Sequence, residues 1–141
     1  MKKVVATCLG AAVGLTVALA AWAEARSEKD APRVASVLQL MEGISKSNMS
    51  RLQSVVGRGA PTSEEAWAGV AQSGALLNEL SFLIVEAGRV RDEVWTDAAG
   101  SLRAASAELV TAADAKNFDA VKTAIGKLGA ACKTCHDVHK K

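Results

Sequence analysis

The sequence predicts an all-α fold, an up-down-up-down antiparallel four-helix bundle. Apolar residues recur at steps of three and four positions in four successive blocks, and no useful stretch alternates with period two. Short turn-forming sequences separate the blocks: GRGAP at 57–61, EAGRVRD at 86–92 and DAKN at 114–117. Proline occurs only twice, so long helices are not interrupted. Because the connections are short, consecutive helices are expected to be antiparallel.

The first two helices are predicted from their opening residues and their apolar stripes. The first opens with Asp30 as N-cap and Pro32 in its first turn. The second opens at TSEE, where Thr62 and Glu65 have the spacing of a capping box. The first stripe is Val34, Val37, Leu38, Met41, Ile44, Leu52, Val55 and Val56, and the second is Trp67, Val70, Ala71, Leu77, Leu80 and Ile84.

The third and fourth helices complete the bundle. Asn117 is the expected N-cap of the fourth helix. The third stripe is Trp95, Ala98, Leu102, Ala105, Leu109 and Ala112, and the fourth is Val121, Ile125, Leu128, Cys132, Cys135 and His139. The fourth stripe steps by 4, 3, 4, 3 and 4, as a bundle seam does, so both cysteines face inward. The inward faces are rich in alanine, which indicates either close helix packing or an enclosed group.

The N-terminal segment has the three parts of a secretory signal peptide. A basic MKK is followed by an uncharged apolar run that contains Cys8, and Ala21 and Ala23 fit the small residues of a cleavage site. We therefore predict a signal peptide at 1–23 and a single bundle domain at 24–141. An uncleaved membrane anchor is the alternative, although the run is near the lower limit for a spanning helix.

The predicted mature chain is close to neutral. Without Lys2 and Lys3 the 17 basic residues become 15, equal to the 15 acidic residues. This balance disfavours a nucleic-acid partner held by bulk charge. Because thiols outside the cytoplasm rarely stay free, Cys132 and Cys135 are expected to form a disulfide, bind a metal or carry a covalent group.

The motif CKTCH at 132–136 is the attachment signature of c-type haem. Cys132 and Cys135 can bond to the two vinyl groups of one porphyrin edge, and His136 then reaches the iron. At helical spacing of three and four residues, the three side chains share one face. The sequence therefore predicts one covalent haem c, with its iron, near the C-terminus of the bundle.

Other uses of the motif fit this position less well. A thioredoxin-type pair needs its first cysteine at a helix N-terminus, where the thiol pKa is lowered, but these cysteines lie in the last turns of a helix. A zinc site would need Cys132, Cys135, His136 and His139 to surround one ion, which one helix face does not allow. A structural disulfide across three helical residues would be strained.

With these features the chain resembles the cytochrome c-prime family of four-helix-bundle class II c-type cytochromes. The resemblance covers the mature chain and is strongest over 94–141, with Trp95 early in the third helix, an alanine-rich stretch, C-x-x-C-H and the basic Lys140. His139 departs from the family pattern, which has Phe or Tyr there. The resemblance implies one haem near the C-terminus and a possible homodimer through the first two helices.

The ligand on the other face of the iron decides the function. His139 follows His136 by less than one turn of the same helix and cannot reach that face. Met41, Met49, a lysine or no ligand remain. Met41 is about 15 Å into the predicted first helix and Met49 about 27 Å, so Met41 is nearer the level of the haem. A core methionine that fills a gap is the alternative role of Met41.

The family comparison adds the role of Met41. The stretch LQLMEG at 38–43 resembles the methionine-ligated, low-spin branch, which implies that Met41 binds the iron beside Val37 and Leu38. In the high-spin branch an apolar residue blocks that face. Arg33 is a candidate partner for a haem propionate or a solvated helix-end charge. Lys140 either raises the haem potential or is favourably placed at a helix C-terminus.

These inferences predict a periplasmic electron-transfer protein that is not an enzyme. No distal histidine and no tyrosine are available for acid–base chemistry. Methionine and histidine on both axial sites favour electron transfer over substrate binding. The partner is expected to be a redox protein that docks transiently near the haem edge, with no nucleic acid and no stable membrane insertion after signal cleavage. The alternatives are a five-coordinate protein that binds nitric oxide or another diatomic gas, and a haem-free bundle with a C-terminal disulfide.

Overall fold

The computed structural model of the chain describes residues 33–86 and 88–140, and the residues from Ala35 onward form one compact unit. Every regular element in the described residues is helical, in agreement with the all-α prediction. The expected N-cap Asp30, the expected Pro32 and the boundary after Ala23 lie outside the described residues. The domain prediction of 1–23 and 24–141 therefore stays a prediction.

Helix α1 is continuous but irregular. It consists of an α-helical turn Val37–Leu40, a π-helical segment Met41–Lys46 and a longer α-helix Ser47–Arg58. The helix starts later than predicted, because residues 33–36 are not helical and Ser36 is the N-cap. The Ser36 hydroxyl accepts from the Gln39 N–H at 3.2 Å, and the Gln39 side chain accepts from the Ser36 N–H at 2.8 Å. This capping box satisfies two N–H groups that the helix leaves unpaired.

The other three helices are regular and begin at side-chain caps. They are α2 (Glu64–Leu83), α3 (Glu93–Asp114) and α4 (Phe118–His139), capped by Ser63, Asp92 and Asn117. The prediction for Asn117 is confirmed, since its side chain accepts from the Ala120 N–H at 3.0 Å. The prediction for Thr62 is wrong by one residue, because the Ser63 hydroxyl accepts the Ala66 N–H. Two adjacent hydroxyl residues offered equivalent caps in the sequence.

The core is a layer of leucine and valine with alanine around it. Five leucines and two valines are at most 1% exposed: Leu52, Leu77, Leu80, Leu109, Leu128, Val70 and Val121. Gly74 of α2 lies where a methyl group would be 3.0 Å from Val110 and 3.2 Å from the Ser106 carbonyl oxygen of α3. This glycine therefore permits the close approach of α2 and α3. Close packing, one of the two readings of the alanine-rich faces, applies to this part of the bundle.

The four helices do not pack equally. Helix α3 packs along its length against both α2 and α4, and these three helices form what we call the three-helix platform. Helix α1 packs mainly on α2 and makes little contact with α4. The platform is therefore the tightly packed part, and α1 is the wall held by fewer neighbours. No helix in the described ranges has the length and apolar character needed to cross a membrane.

Candidate haem-binding site

A narrow cleft lies near the end of the bundle where α4 finishes. All four helices contribute to its wall. The lining residues are Met41 and Ser45 of α1, Leu80 of α2, Ile84 directly after it, Ala98, Ala99 and Leu102 of α3, and Ala131, Cys132, Cys135 and His136 of α4. The wall is apolar except for these sulfur, imidazole and hydroxyl groups. Polar side chains placed in such a wall are those that fix a bound group.

The structure brings together all four residues that the sequence predicts for the site. Cys132, Cys135 and His136 line the cleft from α4, and Met41 lines it from α1. Met49 does not line the cleft, as expected from its greater distance from the start of the helix. Because α1 starts at Val37, Met41 is about 6 Å into the helix rather than 15 Å. The later start places Met41 still closer to the level of His136.

The two thiols are half-buried and are not joined to each other. Burial raises the pKa of Cys132, and the neighbouring Cys135 raises it further. Burial also raises the pKa of Cys135. The charge of Arg91 lowers this pKa, and the charge of Asp92 raises it. The raised pKa of each thiol is opposite to the lowered pKa of a reactive redox cysteine, which acts as the thiolate.

The side chains that line the cleft fit haem c in their chemistry. The cleft is too small for the porphyrin ring unless one of its walls moves. Two thiols and an imidazole from one helix face, with a thioether opposite, match the attachment and axial groups that haem c uses. Three alanines, Ala98, Ala99 and Ala131, keep the lining small. The cleft measures about 30 Å³, while sites for drug-sized ligands span about 300–1,000 Å³. A macrocycle therefore enters only if a wall is displaced, and α1 has the fewest contacts to break.

His139 was the departure from the family pattern, and its surroundings could not be predicted from the sequence. Its ring meets the Trp95 ring edge to face, with centroids 5.3 Å apart and planes at 74°. Its Nε2 atom is buried 3.2 Å from Oδ1 of Asp92, without the geometry of a hydrogen bond. That Asp92 oxygen accepts from the Trp95 N–H at 2.9 Å. His139 thus occupies an aromatic position and leaves one polar atom unsatisfied.

The connection between α2 and α3 holds this end of the bundle together. The Trp95 indole N–H donates to the Ile84 carbonyl at 2.7 Å, and the Arg91 guanidinium lies 5.2 Å from the Trp95 ring centroid. Arg89 donates to the Ala35 carbonyl at 2.7 Å and to the Leu83 carbonyl at 2.8 Å. These bonds tie the start of α1 and the end of α2 to the loop. The sequence indicated only that the segment is a turn.

The predictions for the residues around the site differ in outcome. Neither Val37 nor Leu38 lines the cleft, and Leu38 is 70% exposed, so their packing against a haem stays a prediction. The π-helical segment rotates the first turn of α1 relative to a regular helix, which turns Leu38 outward. Lys140 follows the last residue of α4 directly, as expected of a charge at a helix C-terminus. Arg33 belongs to the segment before the compact unit, so its predicted role stays a prediction.

Comparison with known proteins decides the family. The protein-family model described as Cytochrome C' matches residues 39–140, which include both α1 and the CKTCH motif. The chain belongs to the cytochrome c' family. A cytochrome c' from Alcaligenes xylosoxydans xylosoxydans is 40% identical over 62 residues, which cover 40% of this chain. The match spans about half, 49%, of that relative's length. No solved structure matches the chain.

Membership in the cytochrome c' family confirms the predicted fold class and cofactor. Proteins of the family are four-helix bundles that bind covalently attached haem c with its iron, so this chain is a single-haem c-type cytochrome. The family is periplasmic and is known to form dimers. Within the described residues, no three His, Cys, Asp or Glu side chains are grouped so that they could hold a metal ion by themselves.

Proposed function

We propose that this cytochrome c' is an exported electron-transfer protein whose haem iron is held by His136 and Met41. The placement of Met41 carries the proposal, because its thioether lies in the same cleft as Cys132, Cys135 and His136. When bound, haem c supplies one-electron exchange between ferric and ferrous iron. The two cysteines would hold the group to α4, and the histidine would hold the iron.

The residues around the cleft support an electron carrier that is not an enzyme. The wall opposite α4 is formed by apolar side chains such as Leu80, Ile84 and Leu102, which exclude water and offer no acid or base to a substrate. Methionine and histidine together raise the reduction potential of a haem relative to stronger donors. We further propose that the protein is periplasmic after signal cleavage at Ala23, that a redox protein docks on it transiently, and that it can form a homodimer. We propose neither a nucleic-acid partner nor stable insertion in a membrane.

A second function, the binding of nitric oxide or another diatomic gas, is supported by a specific observation. Met41 is only half-buried and belongs to an irregular segment of the least contacted helix. If its sulfur does not bind the iron, the apolar wall would leave one axial position open to a small neutral ligand. The two functions therefore differ in a single bond.

The optical spectrum of the purified holoprotein and of two variants tests the proposal. The parent should be low spin with a methionine-to-iron charge-transfer band. Met41→Ala should convert the spectrum to high spin and allow the ferrous form to bind carbon monoxide, and its midpoint potential should fall as thioether donation is lost.

Met49→Leu is the matched control, since Met49 is on the same helix, about 12 Å further along, and outside the cleft. It should leave the spectrum unchanged. If the unsubstituted protein is already high spin and neither substitution changes its optical spectrum, gas binding replaces electron transfer as the proposed function.

A further inference from the structure

The π-helical segment Met41–Lys46 lies beside the cleft and contributes Met41 and Ser45 to its wall. A turn of this kind holds one more residue than an α-helical turn, and such turns are common at functional sites. Leu52 follows Leu40 by twelve positions, so a regular α-helix would place them about 120° apart. One additional residue in the turn reduces that angle to about 20°. Both leucines are in fact buried, at 8% and 0% exposure.

A regular α-helix of the same length would present a different residue to the cleft. The part of α1 before the turn would rotate by about 100° and move along by one residue. Met41 would then take the core position of Leu40, and Glu42 would take the cleft position of Met41. Glu42 is now 60% exposed and pairs with Lys46 at 2.9 Å. Burying its carboxylate among apolar side chains is unfavourable, so the alternative register disrupts the site.

Side chains directly after the turn hold it in place. The Ser47 hydroxyl donates to the Gly43 carbonyl at 3.0 Å and to the Ile44 carbonyl at 3.2 Å. The buried Asn48 amide donates to the Ile44 carbonyl at 2.8 Å. In an α-helix the main-chain N–H groups of Ser47 and Asn48 would bond these same two carbonyls. A hydroxyl bond to the fourth preceding carbonyl is compatible with an α-helix, as the bond from Ser73 to Gly69 in α2 shows. The Ile44 carbonyl differs, because the Ser47 main-chain N–H, the Ser47 hydroxyl and the Asn48 amide all donate to it. These donors occupy the acceptor that the Asn48 N–H would use in an α-helix, and they therefore favour the π turn.

We propose that Ser47 and Asn48 are positioning residues that hold the π turn and thereby present Met41, rather than Glu42, to the haem cleft. This inference deepens the proposed function and rests on haem occupying the cleft, but it does not require Met41 to bind the iron. The turn selects the residue that faces the cleft, and the chemistry of that residue then decides between an occupied and an open axial position.

The test uses the holoprotein with carbon-13 in its methionine methyl groups. The ring current of the porphyrin shifts the resonances of protons close to a haem. The chemical shift of the Met41 methyl group therefore reports whether this group lies beside the haem, whether or not the sulfur binds iron. Spectra are taken on the diamagnetic ferrous form, with carbon monoxide added if the iron is five-coordinate. Met49→Leu assigns the remaining methionine signal. The parent should show a strongly displaced Met41 methyl.

Two changes to α1 distinguish positioning from general destabilisation. The double variant Ser47→Ala, Asn48→Leu should lose the displaced methyl resonance and the low-spin spectrum, because the turn relaxes and Met41 leaves the cleft. Deletion of Gly43 in that same background should restore both. The deletion removes the additional residue, so a regular α-helix then presents Met41 in its present orientation. Ordinary loss of stability would not be reversed by deleting a residue.

Controls keep every outcome informative. Ser73→Ala removes a buried hydroxyl that donates to the Gly69 carbonyl at 3.0 Å in α2, and it should leave the methyl resonance displaced. If circular dichroism shows that the double variant does not fold, the exposed Ser47→Ala alone should give a partial loss. A folded double variant that keeps the displaced methyl, or a deletion that restores nothing, overturns the proposal. A displaced methyl with a high-spin parent overturns iron ligation by Met41 but not the role of the turn.

Discussion

The three-helix platform and α1 carry different parts of the candidate site. The platform holds the CKTCH motif on α4, and its helices are regular, side-chain capped and closely packed around residues such as Leu109. Helix α1 contributes Met41, contains a π turn and has fewer contacts. In the proposed function, haem attachment therefore depends on the platform, and the axial ligand opposite His136 comes from α1. One part can therefore change while the other is retained.

The largest expected effect concerns attachment, which should depend on the platform alone. Cys132→Ala combined with Cys135→Ala removes both thiols, so all haem should be extracted by acid and acetone. Met41→Ala, on α1, should leave the haem bound to the protein under the same treatment. Haem staining of denatured protein on a gel measures the difference directly. Extractable haem in the parent would contradict the attachment site, and extractable haem in Met41→Ala would contradict the separation of roles.

The next effect concerns the cores of the two parts. Leu109→Ala, at a fully buried position of α3, should lower the free energy of unfolding by about 2–5 kcal/mol, because the rigid platform cannot close the cavity. Leu40→Ala on α1 should cost about 2 kcal/mol or less, because α1 can shift to fill the space. Urea unfolding of the holoprotein compares them. Equal costs would show that α1 is packed as rigidly as the platform.

Two glycines give a matched comparison of intermediate size. Gly74→Ala should lower the free energy of unfolding by about 1–3 kcal/mol, since its methyl group would lie 3.0 Å from Val110 and 3.3 Å from Leu109. Gly57→Ala in α1 meets no atom within 4 Å and should instead stabilise the helix by about 0.5–1 kcal/mol. Thermal unfolding of both variants against the parent gives the two signs. A stabilising Gly74→Ala would mean that α2 and α3 separate easily.

The smallest expected effect concerns the unsatisfied atom of the platform. His139→Phe should keep the edge-to-face contact with Trp95 and remove the buried Nε2, so stability should rise by about 1 kcal/mol. His139→Ala should lower stability, because the ring contact is lost. The melting temperature measures both changes, and the optical spectrum should stay as in the parent. A destabilised His139→Phe would show that the contact with Asp92 is favourable.

Local sequence patterns predicted several features of the fold. The three- and four-residue steps predicted the helices, because each helix must bury one face. Asn117 could be assigned as a cap because a side-chain cap depends only on residues three positions away. The CKTCH motif located the attachment face for the same reason, since residues three and four apart on a helix are neighbours. Family membership then agreed with this motif rather than replacing it.

The sequence by itself determined the helical class, the CKTCH face of α4 and the pairing of Met41 with that level of the bundle, because all three depend on spacing along one chain. Tertiary structure decided the rest. The π turn of α1 is visible only in the folded structure, where Leu40 and Leu52 are both buried and Leu38 is exposed, because the register of a helix depends on the residues that pack against it. Likewise, His139 meets Trp95 and Asp92 only after α3 and α4 pack together, and contacts across helices leave no periodic pattern in the sequence.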